Sequence, residues 1–305
     1  MPKGTVDNPY QPHTRGFSSA DILDELLLSK PYSMPHTNFR SLPDHLLGVA
    51  RQLQAWKQPP YIRAAGLCHS MYSTEMYPWA LRKFSQRKWL SALIGEYAEQ
   101  VVYMYCTVSQ YRVFREARRL AQLDCAIPMA GGFRVYNCHT GQVRFLSPGF
   151  AAELLLILAA DLMEQDPFFD TWLVFSLLKL AAPHLKHPPP LYQLLEEKGF
   201  YKCSQREVRD IERDAKRVIK RLRGHGNPPD EIIAELQRLV VECPWLVELK
   251  LLLCRKLELA PVERLQVLTQ CQIDFQKWGT AWSSIIDSEA INAECRAEID
   301  KTKLS

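Results

Sequence analysis

Apolar residues recur along most of this chain at helical spacing, and polar or Pro/Gly breaks cut the pattern into short amphipathic segments. Ser18-Ser19-Ala20-Asp21 reads as a helix start for Ile22 to Leu28, and Lys30-Pro31 ends it. Ser33 to Thr37 reads as a loop. Ser41-Leu42-Pro43 opens the next helix, with Ser41 as N-cap and proline in the first turn, where its missing N–H costs nothing. That helix is predicted to reach Trp56, ahead of Pro59-Pro60. A small apolar helix is predicted from Tyr61 to Met71, with Ala64, Ala65 and Gly66 suited to close packing, and Tyr72 to Pro78 follows as a polar, aromatic loop. Arg87 to Cys106 carries Leu90, Ile94, Tyr97, Val101 and Tyr105 on one stripe and predicts a single long helix. A charged helix is expected over 110–125.

The period then changes. Phe133 to Tyr136 and Gln142 to Leu146 alternate with period two around Asn137 to Gly141, which predicts a small β-hairpin. Ser147-Pro148 starts a strongly apolar helix through Met163, the expected centre of the core. Phe168 to Leu180 continues in helix, and His184 to Pro190 reads as a linker. Beyond about residue 190 the segments become shorter and more polar: 204–223, Asp230 to Glu242, Pro244 to Leu259, Pro261 to Gln272 and Phe275 to Glu289. Helices of this length between Pro and Gly breaks resemble stacked helical hairpins. The expected fold class is therefore all-α with a minor hairpin. Residues 1–17 are expected to form a flexible arm, 18–190 a helical domain, and 191–305 a helical-repeat-like (TPR-like) region.

Composition narrows the classes without naming one. The 305 residues are 47% hydrophobic and 24% charged, with a formal net charge of +4, ordinary for a folded chain. No dense basic stripe interleaved with base-stacking aromatics stands out along the sequence, so a nucleic-acid partner is not expected. Nine cysteines, odd in number and without a CxxC pair, argue against a zinc ribbon and for reduced thiols in a cytoplasmic setting. The first ten residues hold no apolar signal core. The apolar run from Phe150 to Met163 is interrupted by Glu153 and Asp161 and falls short of a membrane span.

The candidate chemistry centres on His45 and His69, predicted to project from two consecutive apolar helices. A histidine from each of two packed helices can build a metal or phosphate site inside a helical core. Taken singly, each reads as a hydrogen-bonded core residue rather than a ligand. Asp161 lies among Leu158, Ala159, Ala160, Leu162 and Met163, where a carboxylate is costly unless it has a partner. Glu96 and Glu99 read as a solvated face or hydrogen-bond anchors, and His139 as a surface residue. There is no Gly-x-Ser-x-Gly elbow, Walker loop or dinucleotide fingerprint.

The words DHLLGVARQLQAW, AAGLCHSMYSTE, LIGEYAEQVVYMYC and LLLILAADLMEQ follow one another over about residues 38–165. In that order they resemble a family of proteins of unknown function, which in turn is similar to the HD superfamily of metal-dependent phosphohydrolases and related diiron oxygenases. The resemblance implies an HD-like helical domain. It places His45 at the first histidine, His69 at the histidine of the His-Asp doublet and Asp161 at the distal aspartate. Ser70 stands where the superfamily has aspartate. A hydroxyl is a poor substitute for a hard anionic ligand, so one metal or none is expected rather than two. Two imidazoles and one carboxylate can hold a single divalent Zn, Fe or Mn with open positions. A second metal would need Glu75, Glu96 or Glu99. On this reading Glu75 serves as general base or outer partner, and Arg82, with Arg87 and Lys88, neutralises a small anionic substrate. The implied activity is a metal-dependent hydrolase, most simply a phosphohydrolase on a small phosphorylated or nucleotide-like substrate. Two alternatives stay open: an HD-type iron oxygenase, and a catalytically degenerate scaffold that binds a protein partner through its C-terminal helical hairpins.

Overall fold

The computed structural model describes residues 41–165, 171–197, 203–224, 229–243, 247–257 and 259–278, with isolated positions 22, 199, 293, 296, 297 and 300. Among the described residues the chain is mostly helical, with one two-stranded antiparallel sheet. The all-α fold with a small hairpin is as the sequence predicts.

Ser41 starts helix α1, Leu42–Ala55, by accepting a hydrogen bond from the Asp44 N–H at 3.3 Å, and proline occupies the first turn. Leu42, Leu46, Val49 and Leu53 recur on its inner face and are fully buried. α2, Pro60–Leu67, lies close against α1 because Gly66 has no side chain. A Cβ there would run into the Leu53 Cδ1 methyl. α2 ends earlier than predicted, at Leu67, and Cys68 to Tyr72 form turns.

The long helix expected over 87–106 is two: α3, Arg87–Ile94, and α4, Glu96–Thr107. Gly95 between them has φ 91, a conformation a helix cannot contain and glycine adopts freely. Periodicity survives the break because α3 and α4 pack against each other with their apolar faces toward one core. α5, Gln110–Gln122, is capped by Ser109 and packs on β1. Strands β1, Phe133–Tyr136, and β2, Val143–Leu146, pair in the register Phe133 to Leu146 through Tyr136 to Val143.

α6, Pro148–Gln165, is apolar on nearly every side and occupies the centre. It packs against α1, α2, α4 and α7, the last spanning Thr171–Ala181. A 3₁₀ turn, Ala182–His184, leads through the expected linker to α8, Pro190–Glu197. α9, Gln205–Gly224, α10, Asp230–Glu242, α11, Val247–Lys256, and α12, Pro261–Trp278, each pack on the helix before, except α9, which packs on α7. α12 also returns to α1 and α8. It runs through 272–275, where two helices were expected. The remainder of the predicted Phe275 to Glu289 helix, the predicted helix of 22–28 apart from a helical, buried Ile22, and the arm of 1–17 lie outside the described residues.

One buried apolar cluster reaches from α1 to Leu249 in α11, and a smaller one joins Leu251, Cys254, Leu268 and Cys271. No disulfide joins the eight described cysteines. Among the described residues no helix is long and apolar enough to cross a membrane.

Candidate metal centre

Three elements bring the site together. α1 presents His45 from its first turns, and α6 presents Asp161 and Glu164 three residues apart on the face toward α1 and α4. His69 comes from the turn after α2, two residues beyond the helix end, and not from the helix itself as the sequence suggested. The turn is what aims the ring inward. All four side chains are buried, with His45 and His69 each 1% exposed.

The outer nitrogens fix both tautomers. His69 Nδ1–H donates to the Gly66 carbonyl at 2.7 Å. His45 Nδ1–H donates to the Glu164 carboxylate. Carbonyl and carboxylate are acceptors, so each Nδ1 carries a proton, and in a neutral ring that leaves the lone pair on Nε2. Both Nε2 atoms point into one space. They lie 3.2 Å apart, and Asp161 Oδ1 lies 3.2 Å from that of His45 and 3.6 Å from that of His69. Burial lowers the His69 pKa most, to about 4, against the opposing pull of Asp161. Burial would raise Asp161, but His69, His45 and Tyr105 together hold it below the ordinary carboxylate range. The ring of His69 is neutral and Asp161 is an anion at neutral pH.

With both rings neutral, two lone pairs and a carboxylate oxygen face one another, an arrangement that repels unless a proton or a metal cation sits among them. The dimensions suit one. A point equidistant from atoms 3.2, 3.2 and 3.6 Å apart lies about 1.9 Å from each in their plane, just inside the ~2.0–2.2 Å of Zn–N and Zn–O bonds. Among the described residues, His45, His69 and Asp161 form the group that can hold a metal ion.

Supporting bonds hold the three donors in place, the pattern that tunes metal ligands through their second contacts. Tyr105 Oη donates to Asp161 Oδ2, and Gln165 Nε2 donates to Oδ1 at 2.7 Å. Cys106 Sγ donates to the His69 carbonyl at 3.0 Å. Gly48, three residues after His45, leaves the room that Glu164 fills: a Cβ there would lie 2.6 Å from Glu164 Cγ and 2.7 Å from Cδ.

A domain family of unknown function covers the histidines. Its model, Domain of unknown function (DUF6817), matches residues 26–110 and so includes His45 and His69 but not Asp161 or Glu164 of α6. No curated protein and no solved structure matches this chain.

The structure brings His45, His69 and Asp161 together and places the other expected residues elsewhere. Glu75 accepts from Ser109 Oγ at 3.0 Å and from the Tyr111 N–H at 3.3 Å, closing the start of α5 instead of facing the histidines. Arg82 donates to the Leu81 carbonyl and its guanidinium sits 4.8 Å over Trp89. Glu99 is buried and accepts two bonds of 2.7 Å from Arg87 and one from Tyr72, and Glu96 pairs with Gln100. None of these three glutamates joins the cluster, which suits one cation and not two. His139 is exposed, as expected. Sequence reasoning missed Glu164 and Tyr105. The signal for Glu164 was present: a second acid one turn after Asp161 in an otherwise apolar helix, hence a second carboxylate requiring a partner.

Proposed function

We propose that this chain is a single-metal, HD-like hydrolase acting on a small phosphorylated or nucleotide-like substrate. The observation that carries the metal is the inward pair of Nε2 atoms beside Asp161 Oδ1, with both outer nitrogens committed to acceptors. His45, His69 and Asp161 would hold the ion, three protein ligands with further positions left for water and substrate, as catalytic sites require. When bound, such an ion supplies Lewis acidity at a phosphoryl oxygen and lowers the pKa of a coordinated water. The chain's own residues do the positioning. Glu164 holds His45 in the tautomer that offers Nε2, Gly66 does the same for His69, and Tyr105 orients Asp161. The order of the HD-like words in the sequence supports an HD-like activity, of which a hydrolase is the simplest.

The competing occupant is a proton shared among the same three atoms. Metal analysis of untagged protein separates them: close to one equivalent of Mn, Fe or Zn is expected, retained through desalting. Less than about a tenth of an equivalent, with no uptake from added metal, rejects the metal. Hydrolysis of phosphomonoesters and nucleotides is then compared between loaded wild type and Asp161→Asn. A loaded protein that releases no phosphate or nucleoside product rejects the hydrolase while leaving the metal.

A further inference from the structure

Residues 108–147 contain six arginines, Arg112, Arg115, Arg118, Arg119, Arg134 and Arg144, no lysine and two acids, Glu116 and Asp124. This segment therefore carries a net charge of +4, equal to that of the whole chain, and all other residues balance to zero. The fold gathers four of them, Arg112, Arg115, Arg119 and Arg134, onto one surface. Arg112, Arg115 and Arg119 are exposed and recur at i, i+3 and i+7 along α5. In the hairpin, Phe133 and Val135 are buried against the core. The register places Arg134 opposite Phe145 and Tyr136 opposite Val143 on the other face. Arg134 is exposed, and Phe145 is 64% exposed.

The two elements meet there. The Arg112 guanidinium stacks 3.8 Å over Tyr136. A cleft of about 340 Å³ opens between Glu116 and Arg119 on one side and Arg134 and Phe145 on the other, floored by Gly131 and Gly132. Both acids of the segment already have cations of their own, Glu116 with Arg119 at 2.7 Å and Asp124 with Lys179. At the start of α5, Tyr111 adds a ring that is 62% exposed.

We propose that this α5–hairpin face binds single-stranded nucleic acid. Guanidinium groups grip phosphates in pairs and stack on bases, which lysine does less well. Exposed rings between them supply stacking platforms of the kind that single strands use. A duplex hides its base faces, and an acidic peptide has no use for the rings. The arginines alone would serve any polyanion; Phe145 makes the choice. The linear sequence pointed away from nucleic acid because these side chains come from a helix and a hairpin that only folding sets side by side. The face contains none of the metal-site residues, so it stands independently of the metal and of hydrolysis.

The test is fluorescence anisotropy of a labelled oligouridylate about a dozen nucleotides long, with the full-length chain, as purified and after chelation. Binding at low salt is expected in both forms, with log Kd against log salt rising by about 0.7 per phosphate neutralised. Arg115→Ala and Arg134→Ala should each reduce that slope by about 0.7. Phe145→Ala should weaken binding about 5- to 150-fold at constant salt and leave the slope unchanged. All three residues are exposed, so the variants keep the fold, and circular dichroism checks it. Absence of binding overturns the proposal. So does an RNA duplex or polyglutamate binding as tightly as the single strand, or an unaffected Phe145→Ala, since either result leaves only charge attraction.

Discussion

Gly48→Ala tests the candidate centre without touching any proposed ligand. The added Cβ would sit 2.6 Å from Glu164 Cγ, short by about 0.8 Å of the 3.4 Å at which ordinary contact begins. Both residues are buried on facing helices, α1 and α6, so the carboxylate cannot swing into water. It must retreat from His45 Nδ1. Loss of a hydrogen bond to a charged group costs about 1.5–3 kcal/mol. Alanine in a helix interior returns about 0.5–1 kcal/mol over glycine. The metal-free variant should therefore be less stable by about 1–2 kcal/mol, measured by urea unfolding in chelator. Metal affinity, read by competition with a chromophoric chelator, should fall about 10- to 100-fold because His45 loses its orienting partner. In a Glu164→Ala background the steric conflict is gone, and Gly48→Ala should become neutral or mildly stabilising. The reasoning fails if Gly48→Ala stabilises the wild-type background, or if its cost is the same with and without Glu164.

Four further outcomes follow from the same structure. Replacing His45 by alanine should abolish metal retention on desalting, as should replacing His69; retention by either variant places the ion elsewhere. Glu75→Ala should destabilise by about 0.5–2 kcal/mol through the opened start of α5, with metal uptake unaltered; a change in uptake would return Glu75 to the site. Gly66→Ala drives a methyl into Leu53 and should cost about 1–3 kcal/mol in urea unfolding, whereas an unchanged midpoint would mean that α1 and α2 are not in close contact. Glu153, mostly buried and accepting from Tyr61 and Tyr97, has a pKa that burial raises above 4.5. An acid raised on folding binds its proton more tightly in the native state, so its contribution is favourable at low pH and is lost as pH rises through the folded value. Wild type should thus lose stability relative to Glu153→Gln as pH rises from the ordinary carboxylate range through the raised folded value; a difference that grows in favour of wild type would contradict the burial argument.

Local signals were legible in the sequence wherever one residue type settles the backbone. Ser41 and the following proline fixed the start of α1, the period-two alternation fixed the hairpin, and the strongly apolar composition of α6 announced a central helix. His45, His69 and Asp161 could be nominated for the same reason: polar groups in apolar surroundings must find partners. Periodicity says which face is apolar but not where a helix stops. Gly95 therefore split one predicted helix into α3 and α4, and His69 fell in a turn outside α2. What lay beyond the sequence was every pairing between distant elements. Glu164 with His45, Glu75 with Ser109, and the arginines of α5 with those of the hairpin depend on contacts that chain order does not encode. Hydrogen-bond direction is the clearest case. Which imidazole nitrogen keeps its lone pair is decided by the acceptor behind the other one, and only packing α1 and α2 against α6 puts the acceptors and the inward nitrogens where they are.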